Sequence, residues 1–127
     1  MTTHRHFRSG SPFEPKFGFS RAVRVGQHIH VSGTGPIWAD GSFDDDAGAQ
    51  GRRCLEIIVE ALQELGASPT DVVRTRIYVT DAAHMDGVGP AHAEFFGDAE
   101  PASTAVVVAA LLDPRWKVEI EAEAIVG

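Results

Sequence analysis

Cysteine and positive charge are both scarce in this chain, and each shortage excludes something. The single cysteine, Cys54, has no partner for an internal disulfide, which suits a reducing compartment and an expected cytoplasmic location. No apolar run approaches membrane-spanning length, so no membrane partner is expected. The segment from Met1 to Pro12 holds His4, Arg5, His6 and Arg8 without the apolar core of a signal peptide. Lysine and arginine number 11 against 18 acidic residues, a formal net charge of −7. The residues before Val25 carry five basic groups, Arg5, Arg8, Lys16, Arg21 and Arg24, against Glu14 alone, but the chain as a whole opposes a polyanion; nucleic acid is not an expected partner. Neither H-E-x-x-H nor C-x-x-C occurs, and Gly33-x-Gly35-Pro36 leads into no helix, so it is no phosphate cradle. His28 and His30 point to one side of a strand, as some zinc sites require, but no third ligand is readable; they are taken as surface or edge-strand histidines, with no metal expected.

What is present describes an ordinary globular protein, 43% hydrophobic and 23% charged over 127 residues, enough for one domain spanning 1–127. There are no repeats and no internal linker. Ser9 to Gly18 reads as a Pro/Gly-punctuated loop. Ser20–Val25 and His28–Ser32 read as strands joined at Gly26-Gln27. Asp44-Asp45-Asp46 suits a helix N-terminus, with a helix from about Ala47 to Leu65 carrying Cys54, Leu55, Ile58, Leu62 and Leu65 on one stripe and Gly66 as its stop. Cys54 is therefore a small buried hydrophobe rather than a nucleophile. A strand over Val72–Val79 follows, with Val73, Thr75, Ile77 and Val79 under the helices and Arg74, Arg76 and Tyr78 on the other side. Asp81 caps a second helix bearing Met85, Val88, His92, Phe95 and Phe96, ended by Gly97.

Two strands close the chain. In Lys117–Glu123 and on to Ala124, Val118, Ile120, Ala122 and Ala124 share one face and Lys117, Glu119, Glu121 and Glu123 the other. The strand before it is apolar on both faces from Ala105 to Leu112. With helices on one sheet face only, Ala105, Val107 and Ala109 are expected to face water unless covered, and another copy of the chain is the simplest cover. The element order, β-β-α-β-α-β-β, predicts an α+β sandwich: a mixed β-sheet with two helices packed on one face.

This order, with these residues, resembles the Rid family (reactive intermediate deaminase, also called the YjgF family), over essentially the whole chain. Phe17-Gly18-Phe19-Ser20-Arg21-Ala22-Val23 is similar to the family's G-P-Y-S-Q-A-V, and Val31-Ser32-Gly33 to its strand ending in S-G. Asp71-Val72-Val73-Arg74-Thr75 resembles D-V-V-K-T, Glu94-Phe95-Phe96 the F-F of the second helix, and Pro101-Ala102 with Val118-Glu119-Ile120-Glu121-Ala122 the pair P-A-R-S and V-E-I-E-A. The resemblance implies a chorismate-mutase-like fold and a homotrimer with small-molecule clefts between subunits. It also implies, in deaminating members, an arginine after P-A that binds the carboxylate of an imine or enamine, and a glutamate that positions water. It implies no metal or organic cofactor.

Ser103 stands at the arginine position, Phe19 at a tyrosine position and His92 at another. A guanidinium offers a carboxylate two charge-assisted bonds and a serine one neutral donor, so standard 2-imino acid deamination is not expected. Glu119 remains as the expected catalytic carboxylate, with a place in an ion-paired trimer core as the alternative. Phe19, Ser32, Gly33, Arg76, His92, Ser103, Thr104 and Ala105 are the expected ligand-binding residues. Alternation places Ser103, Ala105 and Val107 on one face, implying an apolar cleft beside Glu119 and a raised pKa. Arg76 is expected either as the counter-charge of Glu119 and Glu121 or as a relocated anion clamp. Two readings follow: an enzyme acting on an imine, enamine or activated carbonyl by Glu-assisted proton transfer or hydrolysis, or a non-catalytic ligand-binding or protein-interaction trimer.

Overall fold

Strict alternation along Val118–Ile125 sets the architecture. Val118, Ile120, Ala122 and Ala124 are buried and the glutamates between them are not, as a strand with one covered face requires. In the computed structural model, which describes residues 3–127, the elements are β1 (His4–Phe7), α1 (Phe13–Phe17), β2 (Ala22–Val25), β3 (His28–Thr34), α2 (Ala47–Glu64), β4 (Val72–Val79), α3 (Met85–Phe96), β5 (Ala102–Val107) and β6 (Val118–Ile125). The strands form one mixed sheet in the order β1-β2-β3-β6-β4-β5; β4 and β5 are parallel and every other pair is antiparallel. The last strand in chain order therefore lies inside the sheet, between β3 and β4.

The helices are built and placed as their sequences dictate. Asp46 caps α2 by accepting from the Ala49 amide at 2.9 Å, and Cys54, Leu55, Ile58 and Leu62 on its inner stripe are fully buried. Beyond α2, Gly66 takes the left-handed backbone (φ 86°) that lets the Ala67 amide reach the Leu62 carbonyl at 2.9 Å. Asp81 caps a single 3-10 turn, accepting from the Ala83 amide at 2.8 Å, and α3 starts after it at Met85. Val88, Ala91 and Phe96 of α3 join Ile29, Val31, Ile77, Val79 and the inner residues of β6 in one core. Burial of Cys54 pushes its thiol pKa well up, so it remains a protonated core group.

Four expectations need correction. First, β1 and α1 lie where no element was expected. The sequence His4–Phe7 has no apolar alternation because it is an exposed strand at the sheet edge, and α1 is one five-residue turn stopped by Gly18 at φ 77°. Second, Val73 does not pack under the helices. A register irregularity between Val72 and Arg74 turns Val72 inward and leaves Val73 42% exposed.

Third, Ser103, Ala105 and Val107 do not lie on Glu119's side of the sheet. Parallel pairing sets them beside Thr75, Ile77 and Val79, on the helix side, and Ala102, Thr104 and Val106 face the other way; Ala109 lies beyond the strand. All of β5 is exposed. The expected apolar cleft of Ala105 and Val107 around Glu119 therefore does not exist within one chain. Fourth, Arg76 does not pair with Glu119, as the site's geometry makes plain.

Candidate functional site

The helix-free face of the sheet carries most of the charge that the strands contribute. Arg76 Nη1 donates to Glu123 Oε1 at 2.9 Å and lies 3.6 Å from Glu121 Oε2. The Tyr78 hydroxyl donates to Glu121, and Arg74 Nη2 donates to Thr104 Oγ1 at 2.7 Å. The expected counter-charge role of Arg76 is thus what its geometry shows, toward Glu121 and Glu123. A guanidinium already held by two carboxylates is poorly placed to clamp a ligand. Hydrogen bonding to Glu121 pushes the Tyr78 pKa up, so its phenol stays protonated.

Glu119 stands apart from these pairs. It lies opposite Tyr78 across the β4–β6 ladder, on the side away from the helices. Its carboxylate rests against Gly33: a Cβ added there would come within 2.7 Å of Glu119 Oε2. An irregularity in β3 between Val31 and Thr34 creates this approach, and only glycine leaves room for it. No side chain neutralises Glu119 by direct contact among the described residues. Desolvation raises its pKa, the charge of Arg21 opposes that rise, and Glu121 adds to it.

Arg21 is the functional candidate that sequence reasoning missed. It continues the outward alternation of Val23 and Val25, and its Nη2 donates to the Gly33 carbonyl at 2.6 Å. Its guanidinium carbon lies 5.6 Å from the Phe19 ring centroid, a cation–π distance. Nε is buried with no hydrogen-bond partner. Burial lowers the Arg21 pKa, against the opposing charges of Glu14 and Glu119. The only hint in the sequence is that arginine stands where the resembled motif has glutamine. Glu14, buried at 2% exposure, is engaged by the Ser9 amide at 3.0 Å and the Ser9 hydroxyl.

The remaining expected residues separate into two groups. Phe19, Ser32 and Gly33 gather near Arg21 and Glu119, although the Ser32 hydroxyl is committed to the Ser20 carbonyl at 2.8 Å. Arg76 and Thr104 share the Glu119 face. Ser103, Ala105 and His92 lie on the helix side, where Thr75 Oγ1 bonds both Ser103 Oγ (2.7 Å) and His92 Nε2 (2.8 Å). Burial lowers the His92 pKa, and its ring meets Phe96 edge-on at 5.5 Å. One chain thus does not bring Ser103 and Glu119 together. A depression of about 260 Å³ lies beside Phe19, lined also by His6, Arg8, Glu14 and Ser20, but Glu119 does not line it. Among the described residues no three His, Cys, Asp or Glu side chains are grouped to hold a metal, and no helix is long and apolar enough to cross a membrane.

The chain has clear relatives. Residues 10–126 match the family model described as endoribonuclease L-PSP. A Mycobacterium tuberculosis protein of the YjgF/YER057c/UK114 family is 45% identical, with TM-score 0.90 over 98% of this chain and 100% of that one. A Yersinia pestis member of the conserved Rid protein family superposes with TM-score 0.87 at 28% identity, covering 98% of this chain and 100% of its own. An uncharacterized Streptomyces coelicolor protein is 37% identical over 124 residues, 97% of this chain and 92% of that one. Sheet order, helix placement, family model and relatives agree: the chain belongs to the YjgF/Rid family.

Proposed function

We propose that this protein is a small-molecule enzyme working as a homotrimer, in which a neighbouring copy covers the helix-free sheet face and completes a cleft around Glu119. Glu119 manages a proton on an imine, enamine or activated carbonyl, either by direct transfer or by positioning the water that hydrolyses it. The observation that carries this reading is the Glu119 carboxylate itself, partly dehydrated and held against Gly33 with no ion pair. A carboxylate whose pKa is raised toward neutrality serves as general acid and base better than one locked in a salt bridge. A second copy is supported by two features: the unpartnered charged face, and the exposed strand edge of β5, which would bring Ser103 and Thr104 of one subunit toward a neighbour's Glu119.

With serine at position 103, a carboxylate is not held from that side, so hydrolysis of 2-iminopropionate is expected to be absent or very slow. The RNA-cleaving activity in the family model's name is disfavoured for this chain by its charge of −7 and by Glu119, Glu121 and Glu123 on the candidate face. The test is turnover of imines generated in situ and of activated carbonyl compounds, comparing wild type with Glu119→Gln. The Gln variant keeps the volume and one acceptor and loses the titrating group. Turnover should fall at least about a hundredfold, the usual worth of general acid–base catalysis. Full turnover in a variant that still assembles would make Glu119 structural and favour a ligand-binding trimer.

A further inference from the structure

Arg21 is a charged side chain whose hydrogen-bonding capacity the protein leaves largely unused. A guanidinium carries five N–H donors. Among the described residues its one acceptor is the Gly33 carbonyl, and its Nε is buried with none. Buried donors are nearly always satisfied, and an exception calls for a cause. Nor is Arg21 explained as an ion pair: among the described residues no carboxylate lies within 4.0 Å of it, and Glu14, whose charge acts on it, is already engaged by Ser9. What the guanidinium lacks is a directly bonded anion, since the charges of Glu14 and Glu119 act on it only from beyond ion-pair distance.

Its surroundings are those of a binding site. Gly33 joins Arg21 to Glu119, accepting from the first through its carbonyl and meeting the second at its α-carbon. Phe19 lies at cation–π distance from the guanidinium and also lines the neighbouring depression with His6 and Arg8, a depression that neither Arg21 nor Glu119 lines. An aromatic wall, a half-buried cation and a carboxylate free of ion pairs together suit one chemical class of ligand.

We propose that Arg21 is the anion-recognition residue of this protein: it binds the carboxylate of a small ligand whose apolar body lies on Phe19 and whose reacting end approaches Glu119. The proposal rests on the reading of Glu119 as the centre of a small-molecule site and adds what that site recognises. It differs from anion binding at position 103, because the carboxylate is held on Glu119's own side of the sheet. Binding of a carboxylate and slow turnover of 2-iminopropionate are therefore compatible, since the reacting carbon is placed differently.

Phenylacetate and its neutral amide, phenylacetamide, are suitable probes, titrated by calorimetry or NMR into the assembled protein. Wild type should bind the acid in preference to the amide, and Arg21→Gln should lose at least about tenfold in affinity for the acid while changing little for the amide. Arg21→Lys keeps the charge but not the fork, so it should retain part of the preference. Arg52→Gln, which removes an exposed cation on α2, should behave as wild type. The proposal is overturned if wild type binds neither probe, if acid and amide bind alike, or if Arg21→Gln binds the acid as wild type does. If Arg21→Gln does not fold, Arg21→Lys decides: unchanged affinity for the acid counts against the proposal. Because these are binding measurements, they stand apart from the turnover test: the acid-over-amide preference of wild type and its loss in Arg21→Gln are read whether or not turnover depends on Glu119.

Discussion

Glu119 and Gly33 act as a pair, and each can be tested through the other. A methyl group at position 33 would collide with Glu119 Oε2, the far end of a flexible side chain rather than backbone. Gly33→Ala should therefore fold and assemble while displacing the carboxylate, lowering kcat about tenfold or more through misplacement alone; circular dichroism separates this from unfolding. Glu119 also predicts a pH dependence whose sign is fixed. Its folded pKa is raised above the unfolded value, so the folded state binds the proton more tightly. The stability this confers is fully present below the ordinary glutamate pKa of about 4.3 and is lost as pH rises through the raised value. Relative to Glu119→Gln, wild type should thus lose melting temperature as pH climbs through that window. A difference in Tm that stays constant across the range would contradict the dehydrated carboxylate.

At the scale of elements, Gln50 is the side chain on which the helix layer and the sheet depend together. It is fully buried in α2, donating through Nε2 to the Asp44 carbonyl at 2.8 Å and accepting through Oε1 from the Lys117 amide at 2.7 Å. Gln50→Leu keeps the bulk and leaves both backbone groups without partners, so urea unfolding should show a loss of about 2–4 kcal/mol. The sequence made the helices and most strands legible because their signals are local. The stripe of α2, its Asp46 cap and its Gly66 stop, and the alternation of β6 all sit within a few residues of what they determine. The facing of β5 was not legible, because a strand apolar on both sides has no alternation of its own. Its register with β4 alone decides that Ser103 faces inward and Thr104 outward. The irregularities at Val31–Thr34 and Val72–Arg74 were equally hidden, since each reverses alternation at one point. The outward facing of Glu119 was legible because it follows the alternation; the place of Arg21 was not, because it depends on a contact with Gly33 on another strand.

For the whole molecule, the proposed trimer is the prediction of widest reach. Sedimentation equilibrium should report three copies at micromolar concentration, and a stable monomer would remove the basis for a cleft at Glu119. The Arg76, Glu121 and Glu123 cluster would become part of a subunit interface, where removing one partner strands the others. Arg76→Gln should then shift the equilibrium toward smaller species more than it destabilises the subunit.

The position of β6 has a further consequence, for the order in which the protein comes into being. During synthesis the β1-β2-β3 ribbon and the β4-β5 pair emerge before the strand that joins them. Until Val118–Ile125 has left the ribosome the two half-sheets each present an unpaired inner edge, and neither can acquire its neighbour. Folding therefore has its decisive step last, with contacts of long sequence separation, and a nascent chain stalled before Val118 should remain protease-sensitive however long it waits.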